Sequence, residues 1–226
     1  MIKKKIYLHI GHGKTGSTAL QCFFAKNYEN LINNNIFYHN PNSIEFKNAL
    51  EYKINSGNIN PNGNWIENEL FPIIKSNSNY EIFLFSNENL FHNLTPLFKI
   101  LRSSKYLELY EFEIILVVRN PSEMLISEYN QNVKRGGAYY SLDEFLEKQK
   151  YICTHTLNAS KIIKKFENLN CKYHILNYSK EKYNIINSIS KVIGISKFCN
   201  FKNTKNKIIN RSLTNNEINM IRSINK

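Results

Sequence analysis

The sequence predicts an α/β fold of three layers, with helices packed on both faces of a central parallel sheet. Three observations carry this. Short apolar runs rich in β-branched and aromatic residues recur along the chain, helical periodicity fills the stretches between them, and a helix-start signal directly follows the run that ends in Val118. The 226 residues, 42% hydrophobic and 13% aromatic, suffice for one substantial core, so residues 1–226 are read as a single domain.

The strands come first. Lys5 to Ile10, Tyr80 to Phe85 and Phe112 to Val118 are apolar enough to be buried on both faces, and Ile36 to Tyr38 and Lys172 to Leu176 are weaker runs of the same kind. Helical spacing covers Ser17 to Tyr28, Trp65 to Ile74, Leu90 to Leu101, Ser122 to Val133, Leu142 to Lys150 and His155 to Phe166. The asparagine-rich stretch from Asn55 to Asn64 is a loop. Ser141 with Glu144 and Thr214 with Glu217 fit the capping box. Asn120-Pro121-Ser122-Glu123 supplies an N-cap, a proline at the first helical position and an acid at the third. Arg119 thereby falls at the carboxyl end of a strand, where open α/β sheets bind ligands.

Thirty Lys and Arg against eighteen Asp and Glu give a formal charge of +12, which favours anionic partners. The basic residues are scattered, with no zinc-finger spacing or aromatic-basic repeat, so nucleic acid is not the expected ligand. Cys22, Cys153, Cys171 and Cys199 lie far apart without a CxxC, which argues against a disulfide framework and a zinc site and for reduced core residues. The apolar run after Lys3 to Lys5 is too short for a signal peptide or a membrane span, and a cytoplasmic location is expected.

Two constellations carry chemistry. Gly11-His12-Gly13-Lys14-Thr15-Gly16-Ser17-Thr18 links the first strand to the first helix, so its amides and hydroxyls can converge on an anion at a helix N-terminus. Against the triphosphatase pattern GxxxxGK[ST], Gly11 and Gly16 fit, but Ser17 stands in the lysine position and the lysine has moved into the loop at 14. That arrangement suits a phosphate without magnesium and predicts no metal site. In the second constellation Arg119 ends a strand and Ser127 follows two helical turns later, so both can address one anion. The plainer reading of Arg119 is a salt bridge to Glu123 or Glu128.

These residues resemble the sulfotransferases that use 3′-phosphoadenosine 5′-phosphosulfate (PAPS), in particular bacterial members related to the glycan sulfotransferases. HIGHGKTGSTALQ, residues 9–21, is similar to their 5′-phosphosulfate loop, and RNPSEMLISEY, residues 119–129, to their 3′-phosphate motif. The likeness is closest over 6–21, extends over 80–91 and 112–137, and beyond 138 persists only as helix-strand order. It implies the P-loop-like sulfotransferase fold and PAPS as donor, with adenosine 3′,5′-bisphosphate (PAP) as product. Lys14 would contact the 5′-phosphate and the bridging oxygen, with Gly13, Thr15, Gly16, Ser17 and Thr18 around the phosphate and Arg119 and Ser127 on the 3′-phosphate.

Sulfuryl transfer also needs a base for the acceptor proton. Ser86-Asn87-Glu88-Asn89 resembles an SSEN segment of bacterial relatives and makes Glu88 the candidate, with His12 and His39 as rivals. Arg135 lies in a segment that closes on substrates in similar enzymes, and Asn210-Arg211-Ser212-Leu213 resembles a segment common in bacterial members. The acceptor expected from the resemblance is a glycan hydroxyl, with an amine, lipid or small metabolite left open. Two other classes compete. A nucleotide kinase would need an aspartate for magnesium, and the only one, Asp143, starts a helix. A basic binder of anionic polymers would explain the charge but not the two spaced motifs.

Overall fold

The computed structural model describes residues 3–38, 42–148, 159–169, 171–200 and 213–226. Five strands, β1 (Lys4–Gly11), β2 (Ile36–Tyr38), β3 (Ile82–Asn87), β4 (Tyr110–Val118) and β5 (Lys172–Asn177), form one parallel sheet in the order β2-β3-β1-β4-β5. Strand side chains alternate between faces. Ile6, Leu8, Ile10, Phe83, Phe85, Ile114 and Leu116 pack on one face with Trp65, Leu70, Leu97 and Phe166. Tyr7, Leu84, Ile115 and Val117 pack on the other, against Phe23 and Phe24 of the helix Ser17–Lys26 and Ile189 of Ile185–Ile193. The expected three layers are present.

The route between strands fixes where a ligand can bind. The chain leaves β1 for β2 through Ser17–Lys26 on the second face, then steps back across the sheet to β3, β4 and β5. Each return carries helices on the first face: Phe71–Ser76 with Ile74, Thr95–Ile100 with Leu97, and Ala159–Glu167 with Phe166. Right-handed crossovers demand this change of face when the direction of travel reverses. The reversal falls between β1 and β4, and the crevice beyond their carboxyl ends is the topological switch point.

Several elements are shorter than their periodicity. The helix from Ser17 ends at Lys26 because Asn27 turns its side-chain amide back to the Phe23 carbonyl at 2.9 Å, and a new helix runs Tyr28–Asn33. The pattern from Leu90 splits into a 3₁₀ turn, Glu88–His92, and a helix Thr95–Ile100 with Pro96 in its first turn. The pattern from Trp65 opens with a π-helical turn, Ile66–Leu70. The helix expected from Ser122 spans Pro121–Arg135, with the Asn120 side chain accepting from the Ser122 amide. The pattern 142–150 is helical over Leu142–Lys148, and that from His155 over Ala159–Glu167; residues 149–158 lie outside the described set. Both capping boxes form. Helices at Ile44–Leu50, Ser104–Leu109, Tyr178–Glu181 and Ile185–Ile193 are additional to those the periodicity indicates.

Among the described residues no helix is long and apolar enough to cross a membrane. Cys22 and Cys199 are buried thiols and Cys171 a partly exposed one, while Cys153 lies outside the described residues.

β2 covers only three residues of β3, ending at Tyr38 opposite Leu84. Beyond that point a single asparagine does the work of a strand. Asn58 donates its backbone amide to the Ser86 carbonyl (3.0 Å), accepts from the Ser86 amide at its side-chain oxygen (2.7 Å), and donates its side-chain amide to the Leu84 carbonyl (2.9 Å). Asn87 returns a bond to the Ile59 carbonyl. This close approach requires Gly57, since a Cβ there would sit 1.9 Å from the Ser86 carbonyl oxygen and the backbone is left-handed at φ 104°.

Two buried ionisable groups sit in the sheet. Glu113 of β4 meets Lys5 at 2.7 Å, Lys172 at 3.0 Å and His174 at 2.5 Å. Burial alone would raise its carboxyl pKa, but the hydrogen bonds from Lys5, His174 and Lys172 hold it below the ordinary value. His9 of β1 is buried and its Nδ1 lies 2.8 Å from Ser86 Oγ; burial lowers its pKa from 6.5 to about 4.

Two outcomes are expected. Between pH 6.5 and about 4 the unfolded chain binds a proton at His9 that the folded one refuses, so stability falls across that window by about 3 kcal/mol and is flat with respect to this group on either side. Urea unfolding of His9→Gln across the same range should lack this part of the slope. Gly57→Ala should lower stability by at least about 2 kcal/mol through clash and left-handed strain, read as a reduced urea midpoint.

Candidate active site

The loop after β1 is built by local hydrogen bonds. The His12 amide continues the β ladder to the Val117 carbonyl at 3.2 Å, and the Thr15 hydroxyl donates to the His12 carbonyl at 2.6 Å. The chain then reverses through two left-handed residues, Lys14 at φ 64° and Gly16 at φ 82°. Gly16 caps the helix Ser17–Lys26, and a Cβ there would lie 2.8 Å from the Tyr178 ring. A Cβ at Gly11 would lie 2.5 Å from Ser17 Oγ, so glycine is needed at both ends of the loop.

A cleft of about 190 Å³ opens at the switch point, walled by Lys14, Gly16, Ser17 and Thr18 from the loop and by Arg119 and Ser127 from the segment after β4. The two constellations separated in sequence by about a hundred residues thus share one cavity. Ser17 Oγ is buried there with no hydrogen-bond partner among the described residues, at the first position of a helix whose free amides favour an anion. Gly13 and Thr15 belong to the loop but not to the cleft wall, and the Thr15 hydroxyl is committed to the loop itself.

The cations are held in place by acids. Lys14 Nζ lies 3.5 Å from Glu128 Oε2 and donates to Gln131 Oε1. Arg119 donates from Nη1 to the Lys14 carbonyl at 3.0 Å and from Nε to Glu123 at 3.2 Å, and its guanidinium lies over the Tyr178 ring at 5.3 Å. The salt bridge to Glu123 and a place in the cleft wall therefore coexist. Ser179 locks the arrangement, donating to Glu123 at 2.9 Å and accepting from the Asn120 amide at 3.0 Å. Hydrogen bonds from Ser179 and Arg119 hold the Glu123 carboxyl below its ordinary range.

Glu88 also lines the cleft, and its Cβ lies 3.5 Å from where a Gly11 Cβ would be. β3 runs to Asn87 rather than ending at Phe85, and the Asn58 clamp on its last residues carries Glu88 to this edge. Among the described residues lining the cleft, Glu88 is the one carboxylate. His12 is buried with its ring 4.4 Å from that of Phe91 and is not in the wall. His39 and Arg211 lie outside the described residues. Arg135 does line the cleft.

Sequence reasoning missed Ala19, Ile54, Gln131, Tyr178 and Lys182, which complete the wall. Gln131 sits one turn after Ser127 on the same helix face, a spacing legible in advance. Tyr178 follows the last residue of β5, so the strand-end rule that singled out Arg119 applied to it too.

No protein-family model and no curated protein matches the chain. Its fold has counterparts among solved structures. The crystal structure of a sulfotransferase from Alicyclobacillus acidocaldarius aligns over 97% of this chain and 91% of that one, with a TM-score of 0.54 and 10% identity. Retinol dehydratase, with androsterone and the inactive cofactor PAP, aligns over 98% of this chain and 64% of its own, with a TM-score of 0.36 and 11% identity. A second retinol dehydratase structure, with retinol and PAP, covers 99% and 64% with a TM-score of 0.36 and 13% identity. At these identities the likeness is one of architecture, carried by the Alicyclobacillus protein: the chain has the sulfotransferase fold.

Proposed function

We propose that the protein is a PAPS-dependent sulfotransferase whose donor occupies the cleft at the β1–β4 switch point. The observation that carries this reading is the meeting of Lys14, Ser17 and Thr18 with Arg119 and Ser127 in one cavity, in a chain with the sulfotransferase fold. Cations from two segments in one cleft, Lys14 from the loop and Arg119 from the end of β4, suit a nucleotide phosphorylated at both ends of its ribose. The loop at the helix N-terminus takes the 5′-phosphosulfate, and Arg119 with Ser127 takes the 3′-phosphate.

The chemistry follows from the residues. The acceptor oxygen or nitrogen forms a bond to sulfur while the bond from sulfur to the bridging phosphate oxygen breaks, its electron pair staying on the departing bisphosphate. Lys14 stabilises the charge that develops on that phosphate. Glu88, at the same edge of the sheet, receives the acceptor proton. Ser17 Oγ, buried and unpartnered, gives the phosphate a hydroxyl that needs no prior bond broken. The reading involves no metal. The acceptor we favour is a glycan hydroxyl, with an amine as the variant, and the expected location is the cytoplasm.

Calorimetry without magnesium tests the donor site. PAP should bind the native protein tightly and ATP much more weakly, and Lys14→Ala and Arg119→Ala should each weaken PAP by about 1.5–3 kcal/mol, the range for hydrogen bonds to charged groups. A preference for magnesium-ATP would overturn the assignment. Glu88→Gln should leave PAP binding intact and lower kcat by roughly 10²–10⁴, measured as transfer of radiolabelled sulfate to an acceptor found by screening.

A further inference from the structure

A second cleft, of about 350 Å³, lies beside the first. Their linings alternate along the chain at two places. Glu88 lines the first cleft while its neighbours Asn87 and Asn89 line the second, and Ile54 lines the first while Ser56 and Gly57 line the second. The candidate base is thus flanked in the chain by two residues of the second cleft.

The two clefts differ in charge. Lys14, Arg119, Arg135 and Lys182 line the first against one carboxylate, Glu88, and Glu45 and Glu69 are the charged residues among those lining the second. In a chain of net charge +12 this is a local reversal. Each of these carboxylates is pinned by a backbone amide, Glu45 by Ser56 at 2.5 Å and Glu69 by Asn60 at 3.0 Å. The floor is rigid as well, because Asn58 and Asn87 are consumed in clamping the 55–60 strap to β3. The side-chain amides of Asn60, Asn62 and Asn89 are not used in this way and offer paired donors and acceptors.

We infer that this second cleft is the acceptor subsite and that it selects a neutral or cationic hydroxylated molecule of about one sugar ring, such as an amino sugar, against anionic sugars. The inference rests on the sulfotransferase reading of the neighbouring cleft. The volume falls within the range of small-ligand sites. Amides and carboxylates at fixed positions match hydroxyl and ammonium groups, which need donors and acceptors in equal supply. An anionic ring would meet Glu45 and Glu69 at like charge. An acceptor held beside Asn87 and Asn89 lies at the chain neighbours of Glu88, from which its reactive hydroxyl extends toward that carboxylate and the sulfuryl group in the first cleft.

Saturation-transfer NMR on the full chain with saturating PAP, using D-glucosamine, methyl β-D-glucoside and D-glucuronate as probes, tests this. Glucosamine and the glucoside should bind at least about tenfold better than glucuronate. In the double variant Glu45→Gln, Glu69→Gln, whose amide oxygens still accept the two backbone bonds, the discrimination should fall to within about twofold while PAP affinity stays unchanged. Equal or better binding of glucuronate to the native protein, discrimination that survives in the double variant, or no saturation transfer from any probe would each overturn the subsite. Absence of PAP binding to the native protein would instead overturn the donor assignment, and this inference with it.

Discussion

The cleft depends on β1 being hydrogen-bonded along both edges. Lys5 to Ile10 pair with β3 and Lys4 to Gly11 with β4, so the strand that delivers the glycine loop cannot move relative to either neighbour. Because the chain goes one way from β1 and the other way from β4, the loops leaving these two strands part and leave a crevice between them. Lys14 and Arg119 face that crevice from its two sides, and the bond from Arg119 to the Lys14 carbonyl ties the sides together. A parallel sheet in which β1 lay at an edge would present the same loop to open solvent.

The helix Pro121–Arg135 carries most of the chemistry that the loop lacks. Ser127, Gln131 and Arg135 project into the cleft, while Tyr129 and Val133 turn to a separate small core with Phe145 and Ile218. The last described helix, Asn215–Ile224, supports that core, and Asn225 bonds to the Val133 and Ala138 carbonyls at 3.0 Å each. Residues distant in sequence from every motif thus support the helix that carries Ser127, Gln131 and Arg135 into the cleft.

What was legible in the sequence was local. The loop from Gly11 to Thr18, the Asn120 cap and the placing of Arg119 at a strand end each depend on residues within a few positions of one another, and each is found where periodicity and capping rules put it. The strands followed from apolar runs, though β3 continues through Ser86 and Asn87 because Asn58 reaches across to complete its edge. Nothing in a polar, asparagine-rich segment distinguishes an asparagine that replaces a strand from one that faces water. The choice among Glu88, His12 and His39 was open for the same reason: burial of His12 against Phe91 is a tertiary fact. The acids that face the cations were visible as residues and invisible as partners in the case of Lys14, whose pairing with Glu128 and Gln131 depends on how a loop and a helix dock.

Those pairings bear on which solutes the cleft admits. Lys14 has Glu128 and Arg119 has Glu123 as resident counter-charges, so these two cations are already partnered before anything enters. A small monovalent solute that draws one cation to itself exposes one carboxylate and gains little. A molecule bearing anionic groups at both ends engages the two cations together, and the second engagement is intramolecular once the first is made. Under the donor reading proposed above, these carboxylates raise the threshold for simple anions and favour a ligand that carries more than one charge.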